Sequence, residues 1–187
     1  TLHDTTEGRG EMARSMAAAE PRSMDPTADG GAPSARSFAA DARRLGQLIR
    51  KDPHTQLAFT AVGGWDTHVN QGGVTGQLAN RLGALCEGLD ALAQGLGDTL
   101  QDTVIVVMSE FGRTVRMNGT GGTDHGTAQV NFVIGNSVKG GLYGTPPSLT
   151  NLVLDGNLEN TTDFRQVYAT LIQEWMGVDH SKVLGQK

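Results

Sequence analysis

The sequence predicts an α/β fold, a mostly parallel sheet with helices on both faces. Three observations point to it. Apolar residues recur at helical spacing in three separate stretches. Short, continuous apolar runs lie between them. The two alternate along the chain as helix, strand, helix, strand, loop, strand, helix, the pattern of a parallel sheet covered on both sides.

Taken in order, residues 1–34 contain no Val, Ile, Phe, Trp or Tyr and a single Leu. "GEMARSMAAAE" has the spacing of a short helix with Met12 and Met16 on one side. The Gly, Pro, Asp and Ser around it read as linker, so a flexible or weakly ordered arm is expected before a domain spanning 35–187. From Ser37, the apolar positions Phe38, Ala42, Leu45, Leu48 and Ile49 predict a helix closed by Asp52-Pro53. "QLAFTAV" (Gln56 to Val62) predicts a strand, ended by Gly63 and Gly64. A long helix follows, with Leu78, Leu82, Leu85, Cys86, Leu89, Leu92 and Leu96 on one stripe. "VIVVM" (Val104 to Met108) predicts a strand buried on both faces, and "VNFVIG" (Val130 to Gly135) a third strand. "GGLYGTPPSL" reads as turns or an edge hairpin. The last helix carries Phe164, Val167, Tyr168, Leu171, Ile172, Trp175 and Met176 on one face, with Thr162 or Asp163 available as its cap. Trp175 and the methionines read as packing residues, and no internal repeat is visible.

The totals narrow the function. At 187 residues the chain is one domain or a fragment of a larger one, and it starts at Thr1, so an N-terminal portion is expected to lie outside it. A net charge of -5 without a dense Lys/Arg run argues against a nucleic-acid partner. No apolar run approaches the roughly eighteen residues a membrane span needs. Cys86 is the only cysteine, which excludes an internal disulfide. The 26 glycines imply many tight turns and loops, where sites tend to sit.

Polar residues fall where strands are predicted to end. Asp66 and His68 follow the first strand and Glu110 the second, while Asp124 and His125 lie on the loop entering the third. In open α/β sheets, ligands bind beyond the carboxyl ends of the strands. Three carboxylates and two imidazoles brought together there would conflict unless a divalent cation joined them. A mixed Asp/Glu/His set suits zinc or manganese, and an all-oxygen subset magnesium or calcium. "DTH" puts Asp66 and His68 on the same side of an extended segment. Adjacent Asp124 and His125 would diverge, leaving one as ligand and the other as its support. Arg113, three residues after Glu110, suits a phosphate or sulfate oxyanion. Each motif also has a plainer reading. "DTH" can be a helix cap or an Asx-turn, Glu110 the ion-pair partner of Arg113 or Arg116, and "TDHG" a turn in which Asp124 caps amides. His3, His54 and His180 sit in arm, turn and tail settings and read as solvent-exposed.

Four stretches in order, "GGWDTHVNQ", "VVMSEFGRTVRMNGTGGTDHG", "VKGGLYGTPPSL" and "TTDFRQVYATLIQEWMG", resemble the carboxy-terminal half of a bacterial family called domain of unknown function 1501. The resemblance covers about Phe38 to Val183. Members of that family mostly carry a twin-arginine export signal, which implies a periplasmic or secreted location. The family looks like a branch of the alkaline phosphatase and sulfatase superfamily, which implies a three-layer α/β sandwich and a metal-dependent esterase site. By this resemblance Asp66 and His68 are the first ligand pair, Glu110 stands where the second acid usually is, and His125 is the late His with Asp124 beside it. Two departures stand out. Phe111 occupies a position where the superfamily often has a second His or Asn ligand. The superfamily's nucleophile normally lies near the first strand of the domain, and no such element precedes Phe38. The resemblance therefore implies that this chain is the second half of a larger protein, whose first half packs against it.

Two functions follow as expectations. One is a metal-dependent hydrolase of a small-molecule or glycan phosphate or sulfate ester, with zinc first among the metals and manganese, calcium or magnesium as alternatives. The other is a non-catalytic exported module that uses the same cleft to bind a glycan, a sulfated ligand or a partner protein.

Overall fold

A computed structural model of the protein describes residues 32, 34–154 and 156–185. The expected arm lies outside the described residues except at positions 32 and 34. A single turn of 3-10 helix, Ala35–Ser37, leads into helix α1, Phe38–Lys51. Helix α2 runs Gln77–Leu96 and tightens into a 3-10 segment, Gly97–Asp102. Four short strands follow: β1 Ile105–Val107, β2 Gly112–Arg113, β3 His125–Gly126 and β4 Phe132–Ile134. Helix α3, Phe164–Thr170, widens into a π-helical turn over Leu171–Trp175, and α4 is the single turn Ser181–Leu184.

The three long helices lie where apolar periodicity puts them. Helix α1 ends at Asp52, as the Asp-Pro pair requires, because a residue before proline is pushed out of helical geometry. Asp163 caps α3 by accepting from the Arg165 amide at 3.0 Å. Helices α1 and α2 pack on each other around Phe38, Ala42, Leu92 and Leu96, with Leu45, Ile49, Val62, Leu85, Leu100 and Ile105 around that centre. Their backbones touch at Gly46 and Gly95. A Cβ on Gly46 would come within 2.6 Å of the Leu92 carbonyl oxygen, so glycine is what allows the close crossing. The buried face of α2 is thus Gly88, Ala91, Leu92, Gly95 and Leu96. Of the leucine stripe, Leu92 and Leu96 are buried, whereas Leu82 and Cys86 are exposed.

The expected parallel sandwich is not what forms. Among the described residues there are two separate two-stranded sheets, both antiparallel. Strand β1 pairs with β4 in the register Ile105↔Ile134, Val106↔Val133, Val107↔Phe132, and β2 pairs with β3 as Gly112↔Gly126 and Arg113↔His125. The reason lies in the connection. A parallel pair needs a crossover, usually a helix, whereas the segment joining β1 to β4 contains only the β2–β3 ribbon and loops and so returns the chain antiparallel. "QLAFTAV" forms no strand either. Its backbone finds no ladder partner among the described residues, and Leu57 and Phe59 are 81% and 89% exposed. Only Gly63 just beyond it makes a bridge, parallel to Ser34. "VIVVM" contributes the half-buried strand β1 rather than one covered on both faces. The packing face predicted for the last helix is likewise open, with Phe164, Tyr168, Trp175 and Met176 all exposed.

Candidate metal centre

Two loops are zipped together to make the site. Asn70 N–H donates to Thr120 O at 3.1 Å and Gln71 N–H to Gly121 O at 3.0 Å, and Val69 and Gly121 form an antiparallel bridge. Beneath them Gln71 Oε1 accepts from the hydroxyls of Thr67 at 2.8 Å and Thr123 at 2.7 Å. Thr67 is 2% exposed, so the middle residue of "DTH" turns inward while Asp66 and His68 turn out on the other side. The Leu78 amide donates to Gln71 O at 3.0 Å, which ties this loop to the start of α2. Gly122 lies so close to the other loop that a Cβ there would meet His68 O at 2.2 Å.

The β2–β3 ribbon completes the site, because its register sets Arg113 directly opposite His125. Four side chains then meet at one oxygen. Asp66 Oδ1 lies 2.5 Å from His125 Nε2, 2.9 Å from His68 Nε2 and 3.3 Å from Arg113 Nη2. Asp66, His68 and His125 each offer a ligand atom, and these atoms all lie within 4.8 Å of one another. All three side chains are partly open to solvent, so an ion has a way in. Burial pushes the Asp66 carboxyl up, but the His125 hydrogen bond and the charges of His125, His68 and Arg113 outweigh it and hold the group below its ordinary value.

Asp124 stands behind this group. Its Oδ1 is 3.1 Å from His68 Nδ1 and 3.0 Å from Asn118 Nδ2. Those hydrogen bonds, Asn118's first and then that of His68, lower its pKa. An ionised carboxylate only accepts, so the proton of the pair sits on Nδ1. That leaves Nε2, which faces Asp66 at 2.9 Å, as the ring nitrogen that would bind a cation, the arrangement in which a carboxylate orients a metal-bound histidine. The neighbours Asp124 and His125 have thus separated into a support and a ligand candidate.

Glu110 stands apart from these donors. It is exposed, outside the three-residue group, and shows no ion pair with Arg113 or Arg116 among the described residues. Arg113 is only 20% exposed at its side chain and is tied down. It donates to Thr123 O at 2.6 Å and to the Trp65 carbonyl, besides meeting Asp66. The plain readings of "DTH" as a cap and of Asp124 as an amide cap do not match these partners. Among the other histidines, His3 lies outside the described residues, while His54 is exposed and His180 half-buried.

Asn118 is a residue that sequence reasoning passed over. Its Nδ2 donates to Asp124 Oδ1 and to His68 O, both at 3.0 Å. Its Oδ1 accepts from the Thr120 amide at 3.0 Å, the Thr120 hydroxyl at 2.9 Å and the Gly122 amide at 3.0 Å. The signal was present in "MNGTGGTD", since Asn-Gly is an Asx-turn sequence, but nothing local says what such a turn will hold. Asn118→Ala removes the amide that donates both to Asp124 Oδ1, behind His68, and to His68 O. Zinc affinity is expected to fall about 10–100-fold, as for other residues that orient metal ligands, with Asp66, His68 and His125 all still present. Competition with a coloured chelator measures it.

The comparisons with known proteins add one finding. The model of the family described as protein of unknown function (DUF1501) matches residues 4–187, nearly the whole chain. No curated protein and no solved structure matches. The chain belongs to that family.

Proposed function

We propose that this member of the DUF1501 family binds one divalent cation through Asp66, His68 and His125 and, within a longer protein, hydrolyses phosphate or sulfate esters. The observation that carries the reading is the convergence of both imidazole Nε2 atoms on one carboxylate oxygen, with a second carboxylate setting the tautomer of His68. A two-nitrogen, one-oxygen donor set fits zinc better than calcium or magnesium, which prefer oxygen. Three protein donors leave a coordination position open, the mark of catalytic rather than structural zinc. When bound, such a cation supplies Lewis acidity, polarising an ester oxygen and lowering the pKa of water.

The chain's own residues provide the frame. Asp124 and Asn118 hold His68, Arg113 holds Asp66 and the Trp65 and Thr123 carbonyls, and the ribbon register holds His125. In this reading Arg113 also offers its remaining donor capacity to an oxyanion. The wider reading follows the resemblance to the alkaline phosphatase and sulfatase superfamily. It includes export by the twin-arginine route to the periplasm or beyond, a nucleophile supplied by an N-terminal half, and packing of that half against exposed Leu57 and Phe59. The described helices include none long and apolar enough to cross a membrane.

A second reading is a binding module that keeps the metal and the cleft without turnover. The tethering of Arg113 to two backbone carbonyls favours it, because those donors are already used. Elemental analysis of the purified protein by plasma mass spectrometry is expected to find about one zinc per chain. No metal after dialysis against mixed divalent ions would remove the basis of both readings. Hydrolysis of aryl phosphate or aryl sulfate by the metal-loaded, full-length protein would decide for the enzyme, and inert substrates for the module. Glu110→Ala tests whether Glu110, a ligand by the resemblance, belongs to the proposed donor set. Unchanged zinc content is the expected result, whereas release of the metal would restore Glu110 to the ligand set.

A further inference from the structure

We infer that Phe111 is a positioning residue for His125, its ring holding the imidazole in the plane that aims Nε2 at Asp66. This rests on the proposed metal site. The Phe111 and His125 rings stack with centroids 4.2 Å apart and planes 8° from parallel. The Arg113 guanidinium carbon lies over the same Phe111 ring, 4.9 Å from its centroid. Phe111 is half-buried and is not among the apolar core residues Phe38, Ala42, Leu92 and Leu96. Its ring partners are one proposed ligand and the arginine that holds another.

The physical need is specific to His125. The second side-chain torsion of histidine is soft and broad, so backbone pairing in β3 does not by itself fix the imidazole plane. The contact with Asp66 fixes the position of Nε2, but a single contact leaves the ring free to turn about it. His68 is held through both ring nitrogens, by Asp66 and Asp124. His125 has no carboxylate behind its Nδ1 among its described partners, and its other ring neighbour, His68, is tilted by 30°. A flat, nearly parallel aromatic face supplies the missing restraint. The guanidinium on Phe111 anchors that face in turn, since cations favour the ring face electrostatically. A ligand aimed before the ion arrives needs no ordering on binding, which is where affinity is gained.

The test compares wild type with Phe111→Leu, Phe111→Met and Phe111→Tyr, using the full chain and zinc alone as the probe. In the metal-free proteins, long-range proton–nitrogen NMR reads the His125 ring. A proton above an aromatic face is shifted upfield, so that shift should vanish in the Leu and Met variants and persist in Tyr. Chelator competition should show zinc binding weakened about 10–100-fold in Leu and Met, and restored close to wild type by Tyr. Thermal melts followed by circular dichroism check that each variant folds, and the two non-aromatic changes guard against a defect peculiar to one of them. Wild-type zinc affinity in folded Leu or Met variants would overturn the proposal, as would a Tyr variant as weak as those two. If no protein binds zinc, wild type included, the metal reading falls. The NMR shifts then still decide whether Phe111 orients His125, and an unchanged His125 ring in the Leu and Met variants would refute it.

Discussion

Asp66→Asn is expected to empty the site, with zinc content falling from about one ion per chain to background. Asparagine keeps the shape of the side chain and one oxygen but removes the charge. That oxygen is where His68 Nε2, His125 Nε2 and Arg113 Nη2 meet, so a neutral amide leaves three donors facing a much weaker acceptor. Loss of a direct ligand should exceed the roughly 10–100-fold that supporting residues cost, so a drop beyond about 100-fold separates Asp66 from Asn118 and Phe111. Chelator competition and elemental analysis read the two limits. Zinc retained at wild-type affinity would show that Asp66 only organises the histidines.

The same variant carries a pH signature in the metal-free protein. The folded-state pKa of Asp66 is depressed below 3.8, because its histidine and arginine partners outweigh its burial. Its contribution to stability is therefore fully present above the unfolded-state value and is lost as pH falls through the lower folded-state value. Asp66→Asn removes that titration. Denaturation midpoints of the wild type should fall more steeply than those of the variant as pH drops below about 4. Parallel curves would mean that Asp66 is no better paired in the fold than in the unfolded chain.

Gly46→Ala is the substitution expected to damage the fold most for the fewest atoms added. In a helix interior, alanine in place of glycine ordinarily stabilises by about 1 kcal/mol. Here the added methyl would sit 2.6 Å from Leu92 O and 2.7 Å from Leu96 N, backbone atoms of the facing helix that have no rotamer to move. Helices α1 and α2 must then separate, opening the contact among Phe38, Ala42, Leu92 and Leu96. Overpacking of this kind costs about 1–3 kcal/mol and sometimes more, so packing outweighs propensity and the net change is destabilising. Urea denaturation should show a lower midpoint. A stabilised Gly46→Ala would mean that the two backbones are not in contact at Gly46.

Helices were legible because their determinants are local. Apolar residues at Phe38, Ala42, Leu45 and Ile49 lie three or four apart, and the Asp163 cap closes within two residues of itself. Strand pairing was not legible in the same way. The partner of Val106 is Val133, 27 positions away, and only the helix-free connection between them sets its direction. The Gly46–Gly95 crossing was invisible for the same reason, since neither glycine says what will approach it.

At the site, sequence alone was enough to place Asp66 and His68 on one side of an extended segment and to single out Arg113, Asp124 and His125 as chemistry worth locating. Those inferences rest on side-chain alternation and donor type, which a few neighbouring residues determine. Only the tertiary structure decided that His125 comes together with Asp66 and His68 while Asp124 stands behind His68, that Arg113 is tied to backbone carbonyls, and that Glu110 lies apart from that cluster. Ligand geometry is a relation among atoms from segments as much as 59 residues apart. No local pattern encodes it, because the convergence is produced by the zipped loops and the ribbon register rather than by the motifs themselves.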